Sequence, residues 1–184
     1  MICLQGDGSR MSRFAPLPLG LFLLIISAFA AARADTELLT NGDFGAGTKS
    51  WTLDRLHNAN ASFKVEPAEA GKAAAHVEVA DAAEEPYYVQ LFQDKLNITD
   101  GKAYHLRFRA RGSATVKIRV NVMLGEAPWT NLWAADVALG IDWKDYSFDI
   151  TPRAATSRGR LTFTWLGAQP ANYWFTGVSL SAQD

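Results

Sequence analysis

The feature that most constrains this chain is a strict two-residue alternation through its middle. In "AYHLRFRARG", Tyr104, Leu106, Phe108 and Ala110 share one side, and His105, Arg107, Arg109 and Arg111 share the other. In "TVKIRVNVML", Val116, Ile118, Val120 and Val122 alternate with Lys117, Arg119, Asn121 and Met123. A period of two places every second side chain on one face of a pleated strand, so both runs read as strands with one buried face. The Gly-Ser-Ala link between them predicts an antiparallel hairpin. "DYSFDI" alternates through Tyr146, Phe148 and Ile150, and "RLTFTW" through Leu161, Phe163 and Trp165. Runs in "ASFKV", "AAHVEV", "YYVQLFQ", "ADVAL" and "YWFTGVSL" bring the total to about nine short strands. With turn signals between them and no strong helical period, they predict an all-β sandwich or jelly roll.

Ahead of this pattern, Arg10 and Arg13 precede the uncharged run "LGLFLLIISAFAAA", 14 residues long. A membrane-spanning helix needs roughly 18 or more. An Ala32-Arg33-Ala34 site follows, so residues 1–34 are expected to be a secretory signal peptide cleaved before Asp35. That leaves 35–184 as a single exported domain, periplasmic or extracellular, with no stable membrane anchor. The leader holds three of the 18 basic residues and one of the 19 acidic ones, so the remainder carries 15 and 18, net −3. Such a balance speaks against a nucleic-acid partner. The lone cysteine, Cys3, falls in the leader, so packing rather than disulfides must hold the domain.

Five segments in order carry a resemblance. They are "LLTNGDFGAGTKSW", "YYVQLFQDKLNITDGKAYHLRFRAR", "DVALGIDWKDYSFDIT", "RLTFTWLG" and "YWFTGVSL". Together they resemble the carbohydrate-binding modules of families four and nine, found beside bacterial cellulases and xylanases. The likeness runs over residues 37–181. It implies a galactose-binding-like jelly roll, a non-catalytic role, and a polysaccharide or oligosaccharide ligand on a sheet face or between edge loops. It also implies a structural calcium held by an acid after the Asn-Gly-x-Phe turn and an Asp pair before Val-Ser-Leu. Gly45, Thr176 and Gly177 stand at those places, so no metal and no other cofactor is expected.

Sugars are recognised by aromatic faces and by planar hydrogen-bonding groups. Trp129 lies between Pro128 and Asn131 in an expected loop, which favours ligand stacking. Trp133 shares its parity with Val137 and Leu139, leaving core and ligand contact both open. Of Tyr87 and Tyr88, alternation buries one and displays the other. Gln90 matches the family glutamine that lies near the sugar face. Trp51, Trp143 and Trp165 sit at apolar positions and read as core, while Trp174 competes with Tyr173 and Phe175 for the interior.

The expected hairpin would put Arg107, Arg109, Arg111, Lys117 and Arg119 on one face. Like charges side by side are unfavourable unless neutralised. Either neighbouring acids such as Glu78, Asp145 or Asp149 pair with them, or the face grips an anionic polysaccharide. The carbohydrate-binding set is therefore Trp129, Tyr87, Tyr88, Gln90, Arg107, Arg109, Arg119 and Trp133.

No catalytic residue is expected. His57, His76 and His105 lie in no motif that pairs them with a nucleophile, and no metal-ligand spacing occurs. A jelly-roll polysaccharide lyase would have to recruit Gln90, His105, Arg107 and a tyrosine. An adhesive β-sandwich of the cell envelope is the other alternative.

Overall fold

A computed structural model describes residues 35–183. The expected signal peptide, residues 1–34, lies outside them. Eleven strands run through the described residues: β1 (Thr36–Glu37), β2 (Thr52–Arg55), β3 (Ala61–Pro67), β4 (Ala73–Val79), β5 (Val89–Ile98), β6 (Tyr104–Gly112), β7 (Val116–Leu124), β8 (Asn131–Leu139), β9 (Lys144–Ile150), β10 (Thr156–Thr164) and β11 (Ala171–Ala182). They form two antiparallel sheets. One has the order β3-β4-β11-β6-β9, with β1 also on β11; the other has the order β2-β5-β10-β7-β8. The all-β sandwich is as the alternation indicates.

The core lies between the sheets and is made of the apolar halves of the alternating runs. Leu106, Phe108 and Ala110 on β6 meet Val116, Ile118, Val120 and Val122 on β7, all buried. Phe163 sits at the centre, 5.1 Å from Phe108 and 4.4 Å from Phe175 by ring centroids. Trp51 packs on Phe44 at 5.2 Å, and its indole N–H donates to Asn41 O at 3.0 Å. Trp51 is thus core, as its place in the sequence implied. The Asn-Gly-Asp-Phe turn explains its glycine: a Cβ on Gly42 would lie 1.8 Å from Val178 O. Only a residue without a Cβ lets β11 approach that closely. Tyr173 is fully buried, donates to Leu166 O at 2.8 Å, and has its pKa pushed up to about 12 by burial.

The expected β6–β7 hairpin does not form. β6 pairs with β11 and β9 in the six-stranded sheet, whereas β7 pairs with β10 and β8 in the five-stranded one. The Ser113–Thr115 link crosses from one sheet to the other, so alternation was read correctly within each strand and the pairing was not. Arg107, Arg109 and Arg111 consequently point from one outer face of the sandwich, and Lys117 and Arg119 from the opposite one.

A groove on the five-stranded sheet

The outer face of the five-stranded sheet carries a groove of about 520 Å³. Its floor comes from the polar halves of the strand alternation. Gln90 on β5, Asn121 and Met123 on β7, and Arg160 and Thr164 on β10 all line it. Thr162 pairs across the sheet with Phe92 on one side and Asn121 on the other. Gln90, Phe92, Asn121, Arg160, Thr162 and Thr164 are all buried, though they face away from the core. Asp54 and Asn131 close the sides.

Gln90 is held at both ends of its amide. Its Nε2 donates to Tyr87 O at 2.8 Å, and its Oε1 accepts from Arg160 Nη2 at 2.9 Å. The Arg160 guanidinium stacks between two rings, 4.3 Å from the centre of Phe92 and 5.3 Å from that of Trp129. Burial pushes its pKa down, and the charges of Asp54 and Asp94 pull it back up. Asp54 Oδ2 is 3.9 Å from Arg160 Nη1, too far for a hydrogen bond. Asn121 Oδ1, Thr162 Oγ1 and Arg160 Nε are buried with no partner in the protein. Unpaired buried polar atoms are costly, and Asn121 and Arg160, which carry two of them, line the groove.

The walls are aromatic. Trp129 stands half exposed, at 51%, in the loop between β7 and β8, where it adopts a left-handed backbone with φ +58°. Leu124 N–H donates to Thr130 O at 2.9 Å and closes that loop beneath it. Tyr87 is also exposed and lines the groove. Trp165 forms the far wall, and the Arg119 guanidinium lies 3.9 Å from its ring centre. Arg119 Nε donates to Asp136 at 2.6 Å, and Lys117 reaches the same carboxylate at 2.8 Å. The Arg119 hydrogen bond, followed by that of Lys117, holds the Asp136 pKa down to about 2.

Of the sequence-based set, the groove gathers Trp129, Tyr87, Gln90 and Arg119. The other four lie elsewhere. Trp133 packs against the core, edge-on to Phe148 at 5.4 Å, because its strand partner Val122 faces inward. Tyr88 stacks on His57 at 4.5 Å, outside the groove lining. Neither tyrosine is buried: both lie in a short 3-10 turn, Pro86–Tyr88, where strand parity does not apply. Arg107 and Arg109 lie on the opposite outer face, where Arg109 donates to Glu69 at 2.8 Å. The lyase-like combination of Gln90 with His105 and Arg107 is likewise split between two faces.

Two tryptophans read as core are not. Trp143 is half-buried on the six-stranded face, with the Arg111 guanidinium 5.5 Å from its ring. Trp165 has φ +65°, which turns it out of the β10 alternation and into the groove. Arg160, Asn121 and Asp54 were also missed. Their signal was present, since each occupies the outward parity of a strand in the sheet that forms the floor.

Three residues stand where the resemblance implies a calcium site. Gly45 and Gly177 offer no side-chain oxygen, and the Thr176 hydroxyl donates to Ala73 O at 2.6 Å. The nearby Glu37 carboxylate accepts from Leu39 N–H, Leu180 N–H and Ser179 Oγ–H.

A β-sandwich with an aromatic-walled, polar-floored groove on one sheet is the architecture of a glycan-binding domain. Residues 36–168 match the family model described as "Carbohydrate binding domain", and the chain belongs to that family. Its family supports a carbohydrate-binding role. Among solved structures, it is similar to one titled "CBM4 structure and function", with TM-score 0.66, 23% identity, and coverage of 78% of this chain and 99% of that one. It is also similar to the second N-terminal cellulose-binding domain of a Cellulomonas fimi β-1,4-glucanase, with TM-score 0.63, 19% identity, and coverage of 84% and 99%. A third is TmCBM61 in complex with β-1,4-galactotriose, with TM-score 0.57, 18% identity, and coverage of 81% and 100%. At these identities the structures bear on the fold. No curated protein matches the chain.

Proposed function

We propose that the groove holds a segment of polysaccharide and binds it without transforming it. One observation carries this reading. Of the four large hydrophobic side chains exposed among the described residues, Leu56, Tyr87 and Trp129 all line the groove whose floor holds unpartnered polar atoms. Apolar rings above and unsatisfied donors and acceptors below match the two surfaces of a pyranose, its C–H face and its hydroxyl edge. Arg160, Gln90 and Asn121 read the hydroxyls, and Trp129, Trp165 and Tyr87 provide the stacking. Because Gln90 and Arg160 are already held in place by hydrogen bonds, they lose little freedom on binding.

Export through the leader would place the groove among polymers outside the cytoplasm. The similarity to a domain of a β-1,4-glucanase supports a role beside a hydrolase acting on the same polymer. No calcium takes part in this reading: millimolar calcium is expected to leave the melting temperature unchanged, and a rise of many degrees would contradict it.

The test is affinity electrophoresis and calorimetry against a panel of soluble glucans, xylans, galactans and uronate polymers. At least one polymer is expected to retard the protein and release it when Trp129 and Trp165 are both changed to Ala. Retardation by none, or equal retardation of the double variant, overturns the proposal.

A further inference from the structure

Away from the groove, the outer face of the six-stranded sheet brings together three side chains that no sequence motif links. In the β6–β9 register, His105 lies opposite Asp149 and Arg107 opposite Ser147, all four pointing outward. His105 Nδ1 is 2.7 Å from Asp149 Oδ1, and His105 Nε2 is 3.0 Å from Ser147 Oγ. Both separations are within the range required of a nucleophile, its base and the base's orienting acid. An Nδ1–H donated to the carboxylate leaves Nε2 as the acceptor for the serine proton, the tautomer a general base needs. The three residues come from two strands that are not consecutive in the chain.

Two further features adjoin this chain of hydrogen bonds. Ser147 lines a depression of about 430 Å³ with Arg107, Lys72, Gly177 and Ser179. Arg107 is exposed and, among the described residues, forms no ion pair, so its guanidinium donors are free beside the serine. A Cβ on Gly177 would meet nothing within 4 Å, so that side of the depression is open.

We propose that Ser147, His105 and Asp149 form a nucleophilic serine site for short-chain acyl esters. Ser147 Oγ attacks the ester carbonyl carbon while its proton passes to His105 Nε2. The bond from that carbon to the alcohol oxygen breaks, and the alcohol leaves with the proton. Water then attacks the acyl-serine, giving a proton to His105 Nε2; the acid departs and Ser147 Oγ regains its proton. Arg107 faces the oxyanion formed in each half. Asp149 is a positioning residue, and with its side chain 82% exposed, water weakens its hold on the imidazole. The site is therefore suited to activated esters rather than amides.

The experiment is hydrolysis of 4-nitrophenyl acetate, with peptide mass spectrometry to locate the acetyl group. A fluorophosphonate probe is applied to the unaltered protein in parallel. Turnover, one acetyl group on Ser147 and phosphonylation of Ser147 are expected. Ser147→Ala and His105→Gln are expected to lower the rate at least ~100-fold, while Ser147→Cys keeps an acylated intermediate. Asp149→Asn is expected to lower kcat and leave KM, which a merely structural contact would not do. Native-like hydrolysis by Ser147→Ala, acetyl found only on lysine or tyrosine, or absence of the fluorophosphonate adduct on Ser147 would each overturn the proposal. None of these readouts depends on glycan binding, so this site and the groove stand or fall separately.

Discussion

The two outer faces of the sandwich use the same residue types to different ends. On the six-stranded face, Trp174 lies between cross-strand neighbours. His76 on β4 stacks 4.7 Å from it, and the Arg111 guanidinium on β6 lies 3.8 Å from its ring centre. Its indole N–H donates to Glu66 at 2.7 Å, and Glu66 also meets His76 at 3.0 Å and Lys64 at 3.3 Å. Both faces and the polar tip of that ring are occupied by the protein itself. On the five-stranded face, Trp129 has one such contact, with Arg160, and stands half exposed over a floor of unpaired polar atoms. Aromatic and arginine content therefore does not distinguish a binding face from a structural one. What distinguishes them is whether the protein has already covered the ring, as it does for Trp174 and does not for Trp129.

The sharpest way to break this comparison is to remove aromatic rings from each face in turn. Changing Trp129 and Trp165 together to Ala is expected to remove measurable glycan retention. Either change alone is expected to weaken binding ~30-fold, about 2 kcal/mol. Trp129→Ala should keep the native melting temperature within ~2 °C, since an exposed loop ring contributes little packing. The reverse is expected of Trp174→Ala: a loss of about 2 kcal/mol in stability and of ~4–8 °C in melting temperature, with glycan retention unchanged. If Trp174→Ala lost glycan and kept its stability, the assignment of the faces would be reversed.

Arg160 tests the floor on its own. An ion pair as long as 3.9 Å stabilises a buried guanidinium poorly, and an apolar isostere can replace such a group at little cost. Arg160→Met is therefore expected to fold with native stability, within about 1 kcal/mol, while glycan affinity falls ~10-fold as the floor loses its donors. Equilibrium unfolding and calorimetry on the same preparation separate the two effects. A large loss of stability with affinity intact would assign Arg160 to the scaffold.

Much of this arrangement is legible in the sequence, and the parts that are not share a cause. Alternation places Phe108, Val120, Phe163 and Phe175 inside, and Gln90, Arg119 and Asn121 outside, because a strand's side chains obey a period of two wherever its backbone stays extended. It fails where the backbone leaves that region. Trp165, at φ +65°, breaks the parity that made it look buried. Tyr87, in a 3-10 turn, lines the groove instead of following Val89 and Leu91 into the core. Pairing between strands is a second gap, since a short Gly-Ser link suits both a hairpin and a crossover to the facing sheet. That ambiguity grouped Arg107 with Arg119. The juxtaposition of His105, Ser147 and Asp149 was hidden for the same reason, because it exists only once β6 is known to lie beside β9.

The smallest expected effect is in acid, and it sharpens the comparison through Glu66 and Asp136. Hydrogen bonding from Trp174, with contributions from His76 and Lys64, lowers the Glu66 pKa to about 2 despite a desolvation penalty. Asp136, beside the groove, is lowered to about 2 by Arg119 and Lys117. A carboxylate whose folded pKa lies below its unfolded value stabilises the fold fully above the unfolded value, and that contribution is lost as the pH falls through the folded one. Melting temperature is thus expected to decline from about pH 4.5 down to pH 2, and Glu66→Gln should flatten part of that decline. Both side chains are about one-third exposed, so solvent screening keeps each contribution to about 1 kcal/mol or less. Binding should separate the pair. Asp136→Asn releases Arg119 from its anchor behind Trp165 and is expected to change glycan affinity a few-fold, whereas Glu66→Gln leaves it alone. If Glu66→Gln altered glycan affinity as much as Asp136→Asn, the satisfied network around Trp174 would itself be in contact with ligand.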